Sequence, residues 1–195
     1  MSRTRLIATD QHANNDINTG TTVFKGSSMS EKRILLLGVG NILYNDEGLG
    51  VYAFRHLEEN YRFSDNVTLM DGGTMGKLLM HALMEHDFVI IMDAVLGGET
   101  PGTVYRLEGD GLRKSLGFHD SQHQVDLVDT LISCELIGNR PDVVVIGMEP
   151  QEYKELGTEL TPACKAAFPK FIGHILDELD AAGGKADKRE TAAAV

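Results

Sequence analysis

The chain has few cysteines, no long apolar run and no excess of basic residues. Two of its 195 residues are cysteine, Cys134 and Cys164, and they form no C-x-x-C pair. That speaks against a disulfide framework and fits a reducing compartment, so a cytoplasmic protein is expected. Cys134 lies in an apolar helical pattern and reads as a buried free thiol. No apolar run approaches the roughly 20 residues of a membrane span. Arg3 and Arg5 are not followed by an apolar segment, so no secretory signal is expected. The 18 basic against 29 acidic residues give a formal net charge of −11. That argues against nucleic acid as a partner, which would want a basic face. No Ser-His-Asp or Cys-His arrangement stands out either, which argues against a covalent nucleophile.

What is present suits one globular domain. The hydrophobic fraction of 42% and charged fraction of 24% are ordinary for a soluble protein of this length. Residues 1–30 are rich in Ser, Thr, Asn, Asp and Gly without periodicity, and are expected to form a disordered extension. Met29, just before the first strand, offers an alternative translation start, and the other reading is a real but mobile tail. Residues 31–180 carry the domain, and the Ala/Gly/charged stretch 181–195 is expected to fray. The sequence leaves the oligomeric state open, a monomer included.

Strand and helix patterns alternate along the domain. Short apolar runs at 33–38, 67–70, 88–95 and 142–146 read as strands, those at 33–38 and 88–95 buried on both faces. Residues 103–107 alternate and read as a half-exposed strand, a candidate for antiparallel pairing. Helical spacing appears at 48–62, with Ala53, Phe54, Leu57 and Tyr61 inward. It recurs at 75–85, with Leu78, Leu79, Ala82 and Leu83 inward. A third helix begins near His123, with Val125, Val128, Leu131, Ile132 and Leu136 as its apolar face. Thr161-Pro162 marks a fourth helix start, Thr as N-cap and Pro at the first helical position, and this helix reaches about residue 179. The alternation predicts an α/β fold, a three-layer α/β/α sandwich around a mostly parallel twisted sheet.

The domain is organised around residues 34–50, Ile-Leu-Leu-Leu-Gly-Val-Gly-Asn-Ile-Leu-Tyr-Asn-Asp-Glu-Gly-Leu-Gly. A buried strand hands over to a helix here, where open α/β sheets bind their ligands. A dinucleotide fingerprint fits poorly, because position 43 is Leu where the third glycine belongs. Asp46 and Glu47 would also repel a pyrophosphate. Two readings remain for these acids. They bind a metal or move a proton, or they are first-turn acids favoured by the helix dipole.

Further polar residues fall at strand ends. Asp93 interrupts the run 88–95, where a carboxylate is costly unless paired, hydrogen-bonded or bound to a metal. The plainer reading is a turn residue. Asp71 opens an Asp-Gly-Gly-Thr turn after the second strand, where it either holds the turn or serves as an acid or base. Of seven histidines, His12 lies in the extension and His56, His81, His86 and His174 fall within or at the ends of helix patterns. His119 and His123 remain as rivals. Glu47, Asp93 and one of these histidines would offer two oxygens and a nitrogen, a set suited to a divalent transition metal with open positions.

Gly38-Val-Gly-Asn-Ile-Leu-x-x-Asp-Glu47-x-x-Gly50, Asp71-Gly-Gly-Thr74, Asp93-Ala94, and His123-Gln124 with Asp129 beyond resemble the hydrogenase maturation endopeptidases. The similarity runs in order over about residues 33–180. It implies a five-stranded sheet with one antiparallel strand. It implies removal of a C-terminal extension from the precursor of a nickel–iron hydrogenase large subunit, after nickel insertion. The family's metal-binding positions fall on Glu47, Asp93 and His123, so the resemblance decides between the histidines. The nickel would be that of the precursor, although a surrogate divalent metal could occupy the site. Hydrolysis by a water polarised by metal or carboxylate is expected. The alternatives are a non-catalytic factor that checks the precursor for nickel and a self-sufficient aminopeptidase-like metallohydrolase.

Overall fold

The computed structural model describes residues 31–109 and 122–190, with the backbone alone for 122–126 and 128. The expected extension at 1–30, His119 and the last five residues lie outside the described residues. Five strands form the main sheet: β1 (Ile34–Val39), β3 (Val67–Gly73), β4 (Phe88–Ala94), β5 (Val104–Glu108) and β6 (Asp142–Met148). Their order is β3-β1-β4-β6-β5. β1 pairs parallel with β3 and β4, and β4 parallel with β6, while β5 runs antiparallel to β6. This is the expected three-layer sandwich with one antiparallel strand.

The continuous apolar runs arise because both sheet faces are covered. Ile34, Leu36, Ile90, Met92, Val144 and Ile146 face one core. There they meet Leu49, Ala53 and Leu57 of α1 (Leu49–Asn60) and Phe171, Ile175 and Leu179 of α4 (Pro162–Ala182). Leu35, Leu37, Val89, Ile91 and Val145 face the other core. That core is closed by Leu79, by Leu83 of α2 (Met80–Met84), and by Leu127, Leu131 and Cys134 of α3 (Gln122–Ile137). Each Leu, Ile, Val, Phe or Met among them, fully buried, contributes about 1.5–3 kcal/mol of transfer free energy. Both cysteines are buried free thiols. Among the described residues no helix is long and apolar enough to cross a membrane.

Four expectations need correction. Residues 76–79 form a 3-10 turn before the short α2, so the inward stripe is rotated. Leu79 and Leu83 are buried, while Leu78 is 79% exposed. On α3, Leu131 and Cys134 are buried but Ile132 is partly exposed and Leu136 is 84% exposed. Apolar composition alone could not say which of two adjacent stripes meets the sheet. The stretch after residue 180 does not simply fray. Gly183, at φ 95°, ends α4, and β7 (Ala186–Lys188) pairs antiparallel with β2 (Tyr61–Phe63). The expected first helix therefore stops at Asn60, and its last residues join that antiparallel pair.

α4 starts as its sequence requires. Thr161 caps it, its hydroxyl oxygen accepting from the Cys164 N–H at 3.5 Å, with Pro162 at the first helical position.

Candidate active site

The carboxyl edge of the sheet collects the polar residues. β1 ends at Val39, and Gly40, at φ 132°, turns the chain and donates its N–H to the Gly73 carbonyl at 2.9 Å. A 3-10 turn (Asn45–Gly48) then leads into α1. Gly50 lies against the Met92 carbonyl so closely that a Cβ would overlap it. The turn bearing Glu47 is thereby set down beside the end of β4, where Asp93 follows Met92. Glu47 thus lies in the connection that follows β1, and Asp93 near the end of β4, the neighbouring parallel strand.

Their environments differ. Asp93 is fully buried, and its Oδ1 accepts the Ala94 N–H at 2.8 Å. Glu47 is half-buried, and burial pushes its carboxyl above the usual carboxylate range. A desolvated carboxylate favours whatever restores charge balance, either a proton or a cation. That property suits a metal ligand or a group that handles a proton. The donor chemistry here, hard oxygen from a turn and a strand end, fits a divalent cation.

Asp71 lies on the far side of β1, paired in register with Gly38. Its Oδ1 accepts the Gly73 N–H at 3.0 Å, and Gly73 holds φ 44°. This is an Asx-type turn, so the side chain has a structural task at the strand end. His123 is the second residue of α3. α3 leads into the start of β6, so its N-terminal end points back toward the carboxyl edge. About 24 Å of helix separates its two ends. The His123 side chain lies outside the described atoms, and so does His119. Among the described residues no group of three His, Cys, Asp or Glu side chains forms a metal site.

Two carboxylates at this edge carry more than the sequence suggested. Asp46 is no solvated first-turn acid but fully buried, hydrogen-bonded to residues 151–161. Glu149, just past β6, is also buried. Its Oε2 accepts the Gly97 N–H at 2.7 Å and the Tyr105 hydroxyl, fixing the loop that leaves β4 after Asp93. Burial, then the Glu149 bond, pushes the Tyr105 hydroxyl up to about 12. The available signal for Glu149 was an acid placed between a mostly apolar strand and Pro150.

Known proteins share this architecture. A family model described as hydrogenase maturation protease matches residues 51–178. The hydrogenase expression/formation protein HupD of Rhizobium leguminosarum bv. viciae is 37% identical over 165 residues, covering 84% of this chain and 82% of that protein. The hydrogenase 2 maturation protease of Escherichia coli K12 is 34% identical over 160 residues, 81% of this chain and 97% of that one. The solved structure of the E. coli hydrogenase maturating endopeptidase HybD superposes with a TM-score of 0.76 at 34% identity, covering 80% of this chain and 98% of that chain. The molecule is thus a peptidase of the α/β/α class. It belongs to the hydrogenase maturation protease family.

Proposed function

We propose that this peptidase removes the C-terminal extension from the nickel-loaded precursor of a nickel–iron hydrogenase large subunit. The observation that carries the reading is the pair of carboxylates at one sheet edge, Asp93 fully buried and Glu47 desolvated. Family membership supplies the reaction class. In this reading Glu47, Asp93 and His123 lend ligands to nickel that the precursor already holds. Water attacks the scissile carbonyl carbon, the C–N bond breaks, and the proton leaves with the new amine. A carboxylate whose burial favours protonation can carry that proton across the site. Asp71 holds its turn, and its second reading is a secondary acid or base. The protein works in the cytoplasm, where its two thiols stay reduced.

An oxygen, oxygen, nitrogen set is harder than the thiolates that bind nickel in soft sites. The protein should therefore sense the precursor's nickel without removing it. A self-sufficient metallopeptidase would instead hold its own metal tightly and act on short peptides. Incubation with nickel-loaded precursor, followed by mass measurement of the product, tests the reading. A loss confined to one C-terminal fragment supports it, and an unchanged mass overturns it.

A further inference from the structure

Asp46 has no part in the reaction proposed above, yet it is fully buried with both oxygens engaged. Oδ2 accepts the N–H groups of Gln151 at 2.9 Å and Glu152 at 3.1 Å and the Thr161 hydroxyl at 2.8 Å. Oδ1 accepts the Thr161 N–H at 2.8 Å. All four donors lie between β6 and α4, a different crossover from the one that carries Asp46. The backbones are joined as well. The Asn45 N–H donates to the Gly157 carbonyl at 2.7 Å, the Gly157 N–H to the Leu43 carbonyl at 2.9 Å, and the Asp46 N–H to the Glu152 carbonyl at 3.0 Å. Asn45 is the one non-glycine among the described residues with positive φ, at 48°, and its side-chain amide donates to the Glu155 carbonyl at 3.0 Å.

Burying a carboxylate is costly unless hydrogen bonds replace its water. A positive φ at a non-glycine residue persists where its surroundings hold it. Both features occupy the two positions immediately before Glu47. The turn that carries Glu47 is a four-residue 3-10 segment, and such turns have poor hydrogen-bond geometry. The Glu47 N–H bonds to Tyr44 at 3.0 Å and the Glu47 carbonyl accepts from Asn41 at 3.2 Å. The geometry points to Asp46 as a positioning residue: it clamps the 151–161 loop to the turn and so fixes the direction of the Glu47 carboxylate. This rests on the reading that Glu47 takes part in cleavage. Asp46 itself touches neither substrate nor metal.

Asp46→Asn keeps the size but leaves one accepting oxygen where two were used. With the fold verified by circular dichroism and the assay run well below the variant's Tm, kcat should fall about ten- to a hundredfold while KM stays within about twofold. Thr161→Val removes the hydroxyl donor and should lower kcat, and Thr161→Ser should restore it. This pair decides the matter where Asp46→Asn does not fold. A folded Asp46→Asn with wild-type kcat would overturn the proposal. So would Thr161→Val that loses Tm alone. Amide exchange of Glu47 gives a readout independent of the precursor. It should speed up in Asp46→Asn, and an unchanged rate overturns the clamp. A wild-type protein that fails to cleave precursor would instead overturn the proposed function.

Discussion

Gly38 and Gly50 meet backbone to backbone. A Cβ on Gly38 would overlap the Gly50 carbonyl and crowd Phe54, and one on Gly50 would overlap the Met92 carbonyl. The first helix therefore lies directly on β1 and β4, closer than any side chain would permit. This contact brings the Glu47 turn to Asp93. Gly38→Ala should destabilise the domain by at least about 2 kcal/mol through overpacking. Urea denaturation measures this, and an unchanged midpoint would show that the backbone contact is dispensable.

The two carboxylates are the next test. Glu47→Gln and Asp93→Asn keep shape and remove charge, and the Asp93→Asn oxygen can still accept the Ala94 N–H. Each should lower cleavage about a hundredfold or more while the fold persists. Near-normal cleavage by either would leave that residue a structural role only. His123→Ala should abolish processing and His119→Ala should only weaken it. The reverse result would put the ligand four residues earlier.

Much of this was legible in the sequence, for physical reasons that differ by element. β1 and β4 were readable because burial on both faces leaves a continuous apolar run. The start of α4 was readable from Thr161-Pro162, since capping is local chemistry. The task of Asp46 was not readable. Its donors lie more than a hundred residues away in sequence, and nothing local distinguishes it from a solvated first-turn acid. Likewise the pairing of residues 61–63 with 186–188 depends on how the chain returns after α4. The exposed Leu78 and Leu136 show that helical periodicity gives the period of a stripe but not its phase when apolar residues are adjacent.

That phase can be checked. Leu136→Ser on the exposed side of α3 should change stability by no more than about 0.5 kcal/mol. Leu131→Ala, on the buried side, should cost about 2–5 kcal/mol. Equal losses in denaturant titration would mean that both stripes are covered.

A surface pair gives the pH dependence. The Arg33 guanidinium donates to both Asp87 oxygens, at 2.8 and 3.2 Å, and the Arg33 N–H to one of them at 2.9 Å. These bonds hold the Asp87 carboxyl at about 2, below its ordinary 3.8. A depressed folded-state value means stability that is present above about 3.8 and is lost as pH falls toward 2. The stability difference between wild type and Asp87→Asn should therefore be largest near neutral pH and shrink across that window. A difference that grew on acidification would contradict the pairing. Because the pair is exposed, its size should be small and should decline with salt.

The central claim is that the site reads nickel already bound in the precursor. The most direct measurement compares cleavage of nickel-loaded and nickel-free precursor by the purified protein, with its own metal content determined beforehand. The expected result is little bound metal and cleavage of the loaded form alone. Stoichiometric zinc in the isolated protein, together with equal cleavage of both forms, would contradict it.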